Sequence, residues 1–172
     1  MKKQARVVVV GGGVVGVATL YQLARMGWTD VVLLERNELT SGSTWHAAGL
    51  LPLFNMSYSV GQVHKHSVAL YKELEAETGQ AVGLSQVSNI RLATNWDRMD
   101  EYHQYAGVAR TIGIEVNFLK PEEVKEIWPL CNIDGLVGAI QHPGDGYIQP
   151  ADLTQALAIG ARNRGAEINR GI

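Results

Sequence analysis

The sequence predicts an α/β fold built around a parallel sheet, and three observations support that prediction. Val7 to Val10 is a β-branched run of strand length. Three glycines follow it at fixed spacing, and an apolar helical segment from Val14 to Met26 comes next. A second apolar run, Val31 to Leu34, ends in an acidic residue. A strand, a tight turn, a helix and a second strand in this order are the parts of one βαβ unit, whose two strands lie parallel.

The glycines have the GxGxxG spacing of a dinucleotide-binding turn. Gly11 lets the chain turn sharply after the strand, Gly13 leaves room for a pyrophosphate near the backbone, and Gly16 lets the helix lie close to the sheet. The N-terminus of the helix then offers free N–H groups and the positive end of its dipole to a phosphate. With a strand before it and a helix after it, the motif predicts dinucleotide binding rather than a turn that only packs.

Glu35 lies at the end of the second predicted strand, 19 residues after Gly16. A carboxylate at this distance accepts hydrogen bonds from the hydroxyls of an adenosine ribose. An acid here favours NAD or FAD over NADP, whose extra phosphate calls for a cation, although Arg36 follows directly. The motif by itself therefore leaves NAD and FAD open.

Composition and charge exclude several classes of protein. The chain has 172 residues, 46% hydrophobic and 19% charged, with a formal net charge of −2, as is ordinary for a globular domain. It has no basic run, so we expect no nucleic acid partner. Cys131 is the only cysteine, which excludes an internal disulfide or a cysteine-based zinc site, and we expect no metal. The apolar N-terminal run carries the glycine motif and lacks a cleavage-site pattern, so we expect a cytoplasmic protein without a membrane span.

The rest of the chain predicts alternating helices and strands. Helices are predicted at 60–77, 97–112, 121–128 and 151–164, and strands at 89–94, 115–119, 136–141 and 167–169. The helix from 60 to 77 is expected to turn Val60, Val63, Leu70 and Leu74 inward. Because another strand begins just before Ile172, the sequence predicts an unfinished sheet. We therefore expect the chain to be the N-terminal part of a larger protein or a truncated gene product.

The segment from Thr40 to Leu50, TSGSTWHAAGL, combines hydroxyl side chains with small residues that let a flat ring system approach the backbone. Together with GGGVVG and LLER, it closely resembles the FAD-dependent oxidoreductases of the D-amino-acid-oxidase-like family, and within them the dimethylglycine and sarcosine dehydrogenases. SNIRLAT, PEEVKEIWPL and PGDGYIQP are also similar to that family. The resemblance implies a Rossmann-like FAD domain at 1–52, the first part of an interleaved α+β substrate domain at 53–148, and a return helix and strand start of the FAD domain at 149–172.

The resemblance also implies the site and the chemistry. In the family, the histidine of this motif, here His46, is joined to the 8α carbon of FAD. The positions implied to contact FAD are Gly11, Gly13, Val14, Val15, Gly16, Glu35, Arg36, Gly42, Ser43, Thr44, Trp45, His46, Ala47, Ala48, Gly49 and Leu50. The implied reaction is hydride transfer from a small N-methylated amine to FAD, giving an iminium, and then formaldehyde or, in a longer chain, a one-carbon unit on tetrahydrofolate. An electron acceptor is implied, and no catalytic residue is assigned, because the family's substrate-facing groups lie largely beyond Ile172.

Three hypotheses remain open at this point. The first is an FAD-linked N-methyl amine dehydrogenase or its N-terminal piece, with a related FAD amine or amino-acid oxidase as its variant. The second is a nicotinamide-dependent dehydrogenase, and the third is a fragment without catalysis. Only the first has a use for a nucleophilic imidazole, whereas otherwise His46 would cap a turn or stack on Trp45. His142 and Asp145, in HPGDG, are expected to belong to a structural turn.

Overall fold

The computed structural model describes residues 4–172, which form helices and strands along their whole length. In chain order the elements are β1 Val7–Val10, α1 Val14–Arg25, β2 Val31–Glu35, a 3₁₀ turn Ser43–His46, β3 Leu50–Leu51, α2 Tyr58–Thr78, β4 Asn89–Ala93, α3 Trp96–Ile112, β5 Asn117–Leu119, α4 Pro121–Ile127, β6 Gly138–His142, β7 Gly146–Tyr147, α5 Pro150–Asn163 and β8 Glu167–Arg170. They divide into two compact units. The first unit contains the residues up to Gly49 with Leu70–Leu84 and Ile148–Ile172, and the second contains Leu50–Ala69 and Ser85–Tyr147.

The first unit is built on a parallel sheet with the strand order β1, β2, β8. The central strand places Leu33 opposite Val9 on one side and opposite Ile168 on the other. α1 and α5 pack against each other, and Gly160 allows the close approach, because a Cβ there would lie 2.7 Å from the ring of Tyr21. The α/β fold and the parallel βαβ unit predicted from the sequence are confirmed.

A polar cluster in the first unit holds the carboxyl-terminal half of α2. The hydroxyl of Tyr21 donates to Oε2 of Glu77 at 2.7 Å, and Nη1 of Arg164 donates to Oε1 of the same carboxylate at 2.5 Å. Residues 70–84 therefore belong to the first unit, whereas the division expected from the sequence included them in the region 53–148. The reason is that α2 continues from one unit into the other without a break in its helical pattern.

The second unit contains an antiparallel sheet with the strand order β4, β6, β5 and a two-stranded pair of β3 and β7. Arg91 lies opposite Ile140, and Asn89 lies opposite His142, so these four side chains share one face of the sheet. α3 packs on that face through Tyr102, Tyr105, Ala109 and Ile112. A smaller core of Val124, Cys131 and Ala139 covers the other face.

The inward face of α2 differs from the prediction. Val60 and Val63 are 39% and 63% exposed, whereas Gly61 and Val68 are buried. The cause is a close approach to α3, because a Cβ on Gly61 would lie 2.4 Å from Cδ1 of Ile112. At the start of α2 a tertiary contact therefore decides which face is buried, whereas Leu70 and Leu74, further along the helix, are buried as predicted. No helix within residues 4–172 is long and apolar enough to cross a membrane.

Candidate functional site

The turn between β1 and α1 forms one wall of a cavity of about 710 Å³ in the first unit. The opposite wall is made by the end of β2 and by the 3₁₀ turn with the loop before it. Among the residues predicted to contact a cofactor, those that line this cavity are Gly11, Gly13, Val14, Val15, Gly16, Glu35, Arg36, Gly42, Ser43, Thr44 and Ala47. The fold thus brings together two sequence segments that are separated by α1 and β2.

The glycine turn has a geometry that side chains would block. Gly11 has a φ of +108°, which confirms its predicted role in the sharp turn after β1. A Cβ on Gly16 would lie 2.0 Å from the carbonyl oxygen of Gly11 and 3.5 Å from Cγ1 of Val9. The helix therefore begins in direct contact with the turn and the strand. In the described part of the chain, no protein acceptor takes the N–H groups of Val15 and Gly16, which leaves them available at the cavity.

Glu35 connects the end of β2 to the glycine turn. Its Oε2 accepts a hydrogen bond from N of Gly12 at 2.6 Å, and its Oε1 accepts one from N of Asn37 at 2.7 Å. These two hydrogen bonds hold the pKa of the Glu35 carboxyl below its usual value, and the bond from Asn37 has the larger effect. The carboxylate is therefore fixed in orientation at the cavity wall, and each oxygen has a further lone pair that can accept from a ligand hydroxyl.

Thr44 caps the helix that begins at the cavity. Its Oγ1 accepts a hydrogen bond from N of Val14 at 2.9 Å, which satisfies one of the free N–H groups at the start of α1. The glycine at position 13 makes this possible, because a Cβ there would lie 3.0 Å from Oγ1 of Thr44. The side chain of Thr44 is almost fully buried. The 3₁₀ turn is thereby anchored to the helix N-terminus.

His46 lies at the end of the 3₁₀ turn with its side chain exposed. Its Nδ1 is 3.2 Å from the carbonyl oxygen of Gly42. Because a carbonyl oxygen only accepts hydrogen bonds, Nδ1 is the donor in this contact, and in the neutral imidazole the lone pair then lies on Nε2. The imidazole is therefore oriented by a backbone contact, and its side chain is exposed to solvent.

Five predicted contact residues do not line the cavity: Trp45, His46, Ala48, Gly49 and Leu50. Gly49 has a backbone reason to be glycine, because its φ is +73° and a Cβ there would lie 2.1 Å from the carbonyl oxygen of Ile148. Trp45 is 72% exposed, so its indole ring is open to a ligand. Trp45 and His46 end the 3₁₀ turn, and Ala48, Gly49 and Leu50 follow it along the chain.

Six cavity residues were missed by the sequence reasoning: Val9, Val10, Gly12, Thr19, Asn37 and Ser41. Gly12 is the most restricted of them, because a Cβ there would lie 2.6 Å from Cδ2 of Leu39 and 2.9 Å from Cγ of Glu35. The uninterrupted run of three glycines from position 11 to position 13 was the available signal. The GxGxxG pattern treats its second position as variable, so it gave Gly12 no role.

Comparisons with known proteins agree with this geometry. The profile of the family described as FAD dependent oxidoreductase (DAO) matches residues 6–171. The chain is 46% identical over 164 residues to the mitochondrial dimethylglycine dehydrogenase of Rattus norvegicus, which covers 95% of this chain and 19% of that protein. It is 42% identical over 165 residues to the mitochondrial sarcosine dehydrogenase of Homo sapiens, covering 95% of this chain and 18% of that protein.

A solved structure supports the same assignment. The L-proline dehydrogenase of P. horikoshii matches with a TM-score of 0.91 at 28% identity, covering 99% of this chain and 45% of that one. The chain spans about a fifth of the length of the two curated relatives. Since the family profile extends over nearly all of its residues, including the glycine turn and the loop with His46, this chain belongs to the DAO family of FAD-dependent oxidoreductases.

Proposed function

We propose that this chain holds FAD covalently through His46 and belongs to an oxidoreductase for small N-methylated amines. The observation that carries the proposal is the orientation of His46, an exposed side chain whose Nδ1 donates to the carbonyl oxygen of Gly42, so that Nε2 of the neutral ring carries the lone pair. A neutral imidazole nitrogen is a competent nucleophile.

The residues at the glycine turn fit the ADP half of FAD. The free N–H groups of Val15 and Gly16, at the start of α1, suit a pyrophosphate, and the glycine turn leaves no Cβ in its way. The fixed carboxylate of Glu35 suits the ribose hydroxyls. The segment from Trp45 to Leu50, which is exposed except for the partly buried Gly49, would lie along the flavin half. When bound, FAD supplies the two-electron chemistry that no amino-acid side chain offers.

The covalent link requires an oxidant, for which we propose dioxygen. Nε2 of His46 forms a bond to the 8α carbon, one proton leaves that carbon, and the second leaves the imidazole. The two electrons of the broken C–H bond pass through the flavin to dioxygen, which becomes hydrogen peroxide. The product therefore has the mass of the protein plus FAD less two hydrogens.

We propose dimethylglycine or sarcosine as the substrate type, by analogy with the two relatives named above. FAD would supply the acceptor for a hydride from the N-methyl carbon, which would leave the amine as an iminium, and water would hydrolyse the iminium to formaldehyde and the demethylated amine. Capture of the one-carbon unit by tetrahydrofolate would need a longer chain, and a separate acceptor reoxidises the flavin. The alternative is a related amine or amino-acid oxidase without folate chemistry; the match to an L-proline dehydrogenase supports only the amino-acid substrate of that alternative.

The covalent link is tested by intact mass under denaturing conditions, after incubation with FAD in air. The measurement is made on this chain and on the longest natural product of its gene. We expect the mass of one FAD less two hydrogens on the protein and none on His46→Ala. His66→Ala is the matched control, because His66 is also exposed and lies on α2, away from the glycine turn in sequence.

Two outcomes would contradict the covalent link: an adduct that persists in His46→Ala, or a long product that binds FAD with no adduct at all. Substrate class is tested separately by flavin bleaching under anaerobic conditions. Dimethylglycine and sarcosine are expected to bleach the flavin of the long product faster than glycine or L-proline. The reverse order would favour the oxidase alternative.

A further inference from the structure

The second unit holds a cluster of buried polar side chains around the turn that follows β6. His142 is 0% exposed and Asp145 is 1% exposed. Among the described residues, no hydrogen-bond partner meets either ring nitrogen of His142 or Oδ2 of Asp145. Nε of Arg91 and Nδ1 of His64 are likewise buried and unpartnered within residues 4–172. Since buried polar groups are nearly always hydrogen-bonded, this cluster requires a physical explanation.

The same cluster holds the backbone of Leu53 by two side-chain hydrogen bonds, an arrangement that we call the Leu53 clamp. Oδ1 of Asp145 accepts from N of Leu53 at 2.8 Å. The hydroxyl of Tyr105 donates to the carbonyl oxygen of Leu53 at 3.2 Å. Leu53 lies three residues after Leu50, the last residue of the segment predicted to contact the flavin. The clamp therefore fixes the chain where it leaves that segment.

Asp145 is faced by ionisable groups from four elements. Arg91 of β4, His64 of α2 and Tyr105 of α3 interact with it electrostatically, and His142, at the end of β6, accepts from its backbone N–H and packs against the ring of Tyr105. The guanidinium carbon of Arg91 lies 4.2 Å from the ring centroid of Phe54, so its charge is held over an aromatic face. The cluster thus contains one permanent cation and an acid and a base that are both sealed from water.

Burial acts on the acid and the base in opposite directions. It raises the pKa of Asp145 to about 6, against the opposing effects of the Leu53 N–H, Arg91 and His64. It lowers the pKa of His142 to about 4, and Arg91 adds to that effect. Burial also raises the pKa of Tyr105 to about 12, which keeps its hydroxyl protonated as a donor. Both Asp145 and His142 are therefore uncharged in the closed cluster in mildly acidic solution.

We propose that closing the Leu53 clamp neutralises both His142 and Asp145 in mildly acidic solution. When the clamp is open, His142 is an imidazolium and Asp145 is a carboxylate. When it is closed, both side chains are uncharged. His142 gives one proton to water and Asp145 takes one from water, so the number of bound protons does not change. The segment should therefore show no strong acid sensitivity, although two titratable groups are buried in it. The proposal does not depend on cofactor binding.

The two groups contribute to stability with opposite signs. The pKa of Asp145 is raised, so its contribution to the closed state is complete below pH 3.8 and is lost as the pH rises to about 6. The pKa of His142 is lowered, so its contribution is complete above pH 6.5 and is lost as the pH falls to about 4. In the wild-type chain the two changes in stability with pH nearly cancel between about pH 4 and about pH 6. Removing either group leaves the slope of the other.

The test is amide hydrogen exchange at Leu53 in the 172-residue chain, measured by NMR from pH 4 to 6.5 and corrected for the intrinsic exchange rate. The exchange rate gives a closing constant, the ratio of closed to open clamp, and in the wild type we expect this constant to be nearly independent of pH. Asp145→Asn keeps an oxygen acceptor for the Leu53 N–H. Its closing constant should fall by up to about tenfold for each pH unit by which the pH decreases. The closing constant of His142→Gln should rise by up to about tenfold for each pH unit by which the pH decreases.

Asp134→Asn is the matched control, because it makes the same chemical change at an exposed position of the second unit, and its profile should be level. A level profile in Asp145→Asn would overturn the proposal. If His142→Gln does not fold, the NMR titration of the His142 ring in the wild-type chain decides instead. A midpoint well below pH 6.5 is expected, and a midpoint at that value would overturn the proposal.

Discussion

The glycine-turn cavity of the first unit and the polar cluster of the second both leave polar groups without protein partners, but they do so in different surroundings. At the cavity the unpartnered groups are backbone N–H groups of Val15 and Gly16 that face open space. In the cluster they are side-chain atoms of His142 and Asp145 that no solvent reaches. An open unpartnered group can bind a ligand, whereas a sealed one changes its protonation state instead.

The difference predicts that mutations in the two regions act on different quantities. Changes at the cavity should alter FAD affinity. Changes in the cluster should alter stability and its dependence on pH, with FAD affinity unchanged. The three variants below test this contrast.

The largest effect is expected for Gly16→Ala. The new Cβ would lie 2.0 Å from the carbonyl oxygen of Gly11, so the turn and the helix must move apart. Such overpacking should lower the free energy of unfolding by about 1–3 kcal/mol. A comparable loss of binding free energy would lower the affinity for FAD by about tenfold or more. Urea unfolding and quenching of FAD fluorescence measure the two effects.

Gly107→Ala is the control for that substitution, because Gly107 lies inside α3 and a Cβ there meets no atom within 4 Å. It should raise the free energy of unfolding by about 0.5–1 kcal/mol, since alanine is the better helix former. Tight FAD binding by Gly16→Ala would show that the cavity is not the cofactor site.

A smaller effect, confined to stability, is expected for Tyr105→Phe. The variant leaves the carbonyl oxygen of Leu53 buried without its donor, which costs about 1–2 kcal/mol. FAD affinity should not change. Tyr58→Phe, at a residue that is 55% exposed, should have almost no effect on urea unfolding. A loss of FAD affinity in Tyr105→Phe would mean that the two regions are energetically coupled.

The smallest effect is expected for Glu35→Gln. The amide keeps one oxygen acceptor but loses the charge that strengthens the bonds from Asn37 and Gly12. We expect FAD to bind about threefold to tenfold more weakly, equivalent to about 1 kcal/mol. Because the pKa of Glu35 is lowered, its contribution to stability is present above pH 4.5 and is lost as the pH falls further. That part of the acid destabilisation should be absent from the variant in urea unfolding at pH 3 to 5.

Much of the fold could be predicted because its signals are local. The β-branched run of β1, the glycine turn and the apolar helix α1 lie next to one another in sequence, and each has a spacing that permits few structures. The same holds for Pro121 at the start of α4 and Gly113 at the end of α3, which has a φ of +76°. Recognition of the family depended on the segment with His46, which is also continuous in sequence.

The predictions were weaker where an element depends on a distant partner. β3 and β7 have two residues each and pair across a long sequence interval, so no local pattern marks them. His142 and Asp145 were predicted to form a structural turn, and the N–H of Asp145 does donate to the carbonyl of His142 at 3.2 Å. Their burial could not be foreseen, because it results from packing against α3 and the chain at Leu53.

The sequence by itself determined the βαβ unit, the glycine turn and the acid at the end of β2, because each follows from neighbouring residues and from backbone geometry. Only the tertiary structure decided that Thr44 caps α1, that N of Gly12 bonds to Glu35, and that Asp145 holds Leu53. Each of these contacts joins residues 23 or more positions apart. The direction and protonation of a side chain depend on which distant groups surround it, and spacing along the chain does not carry that information.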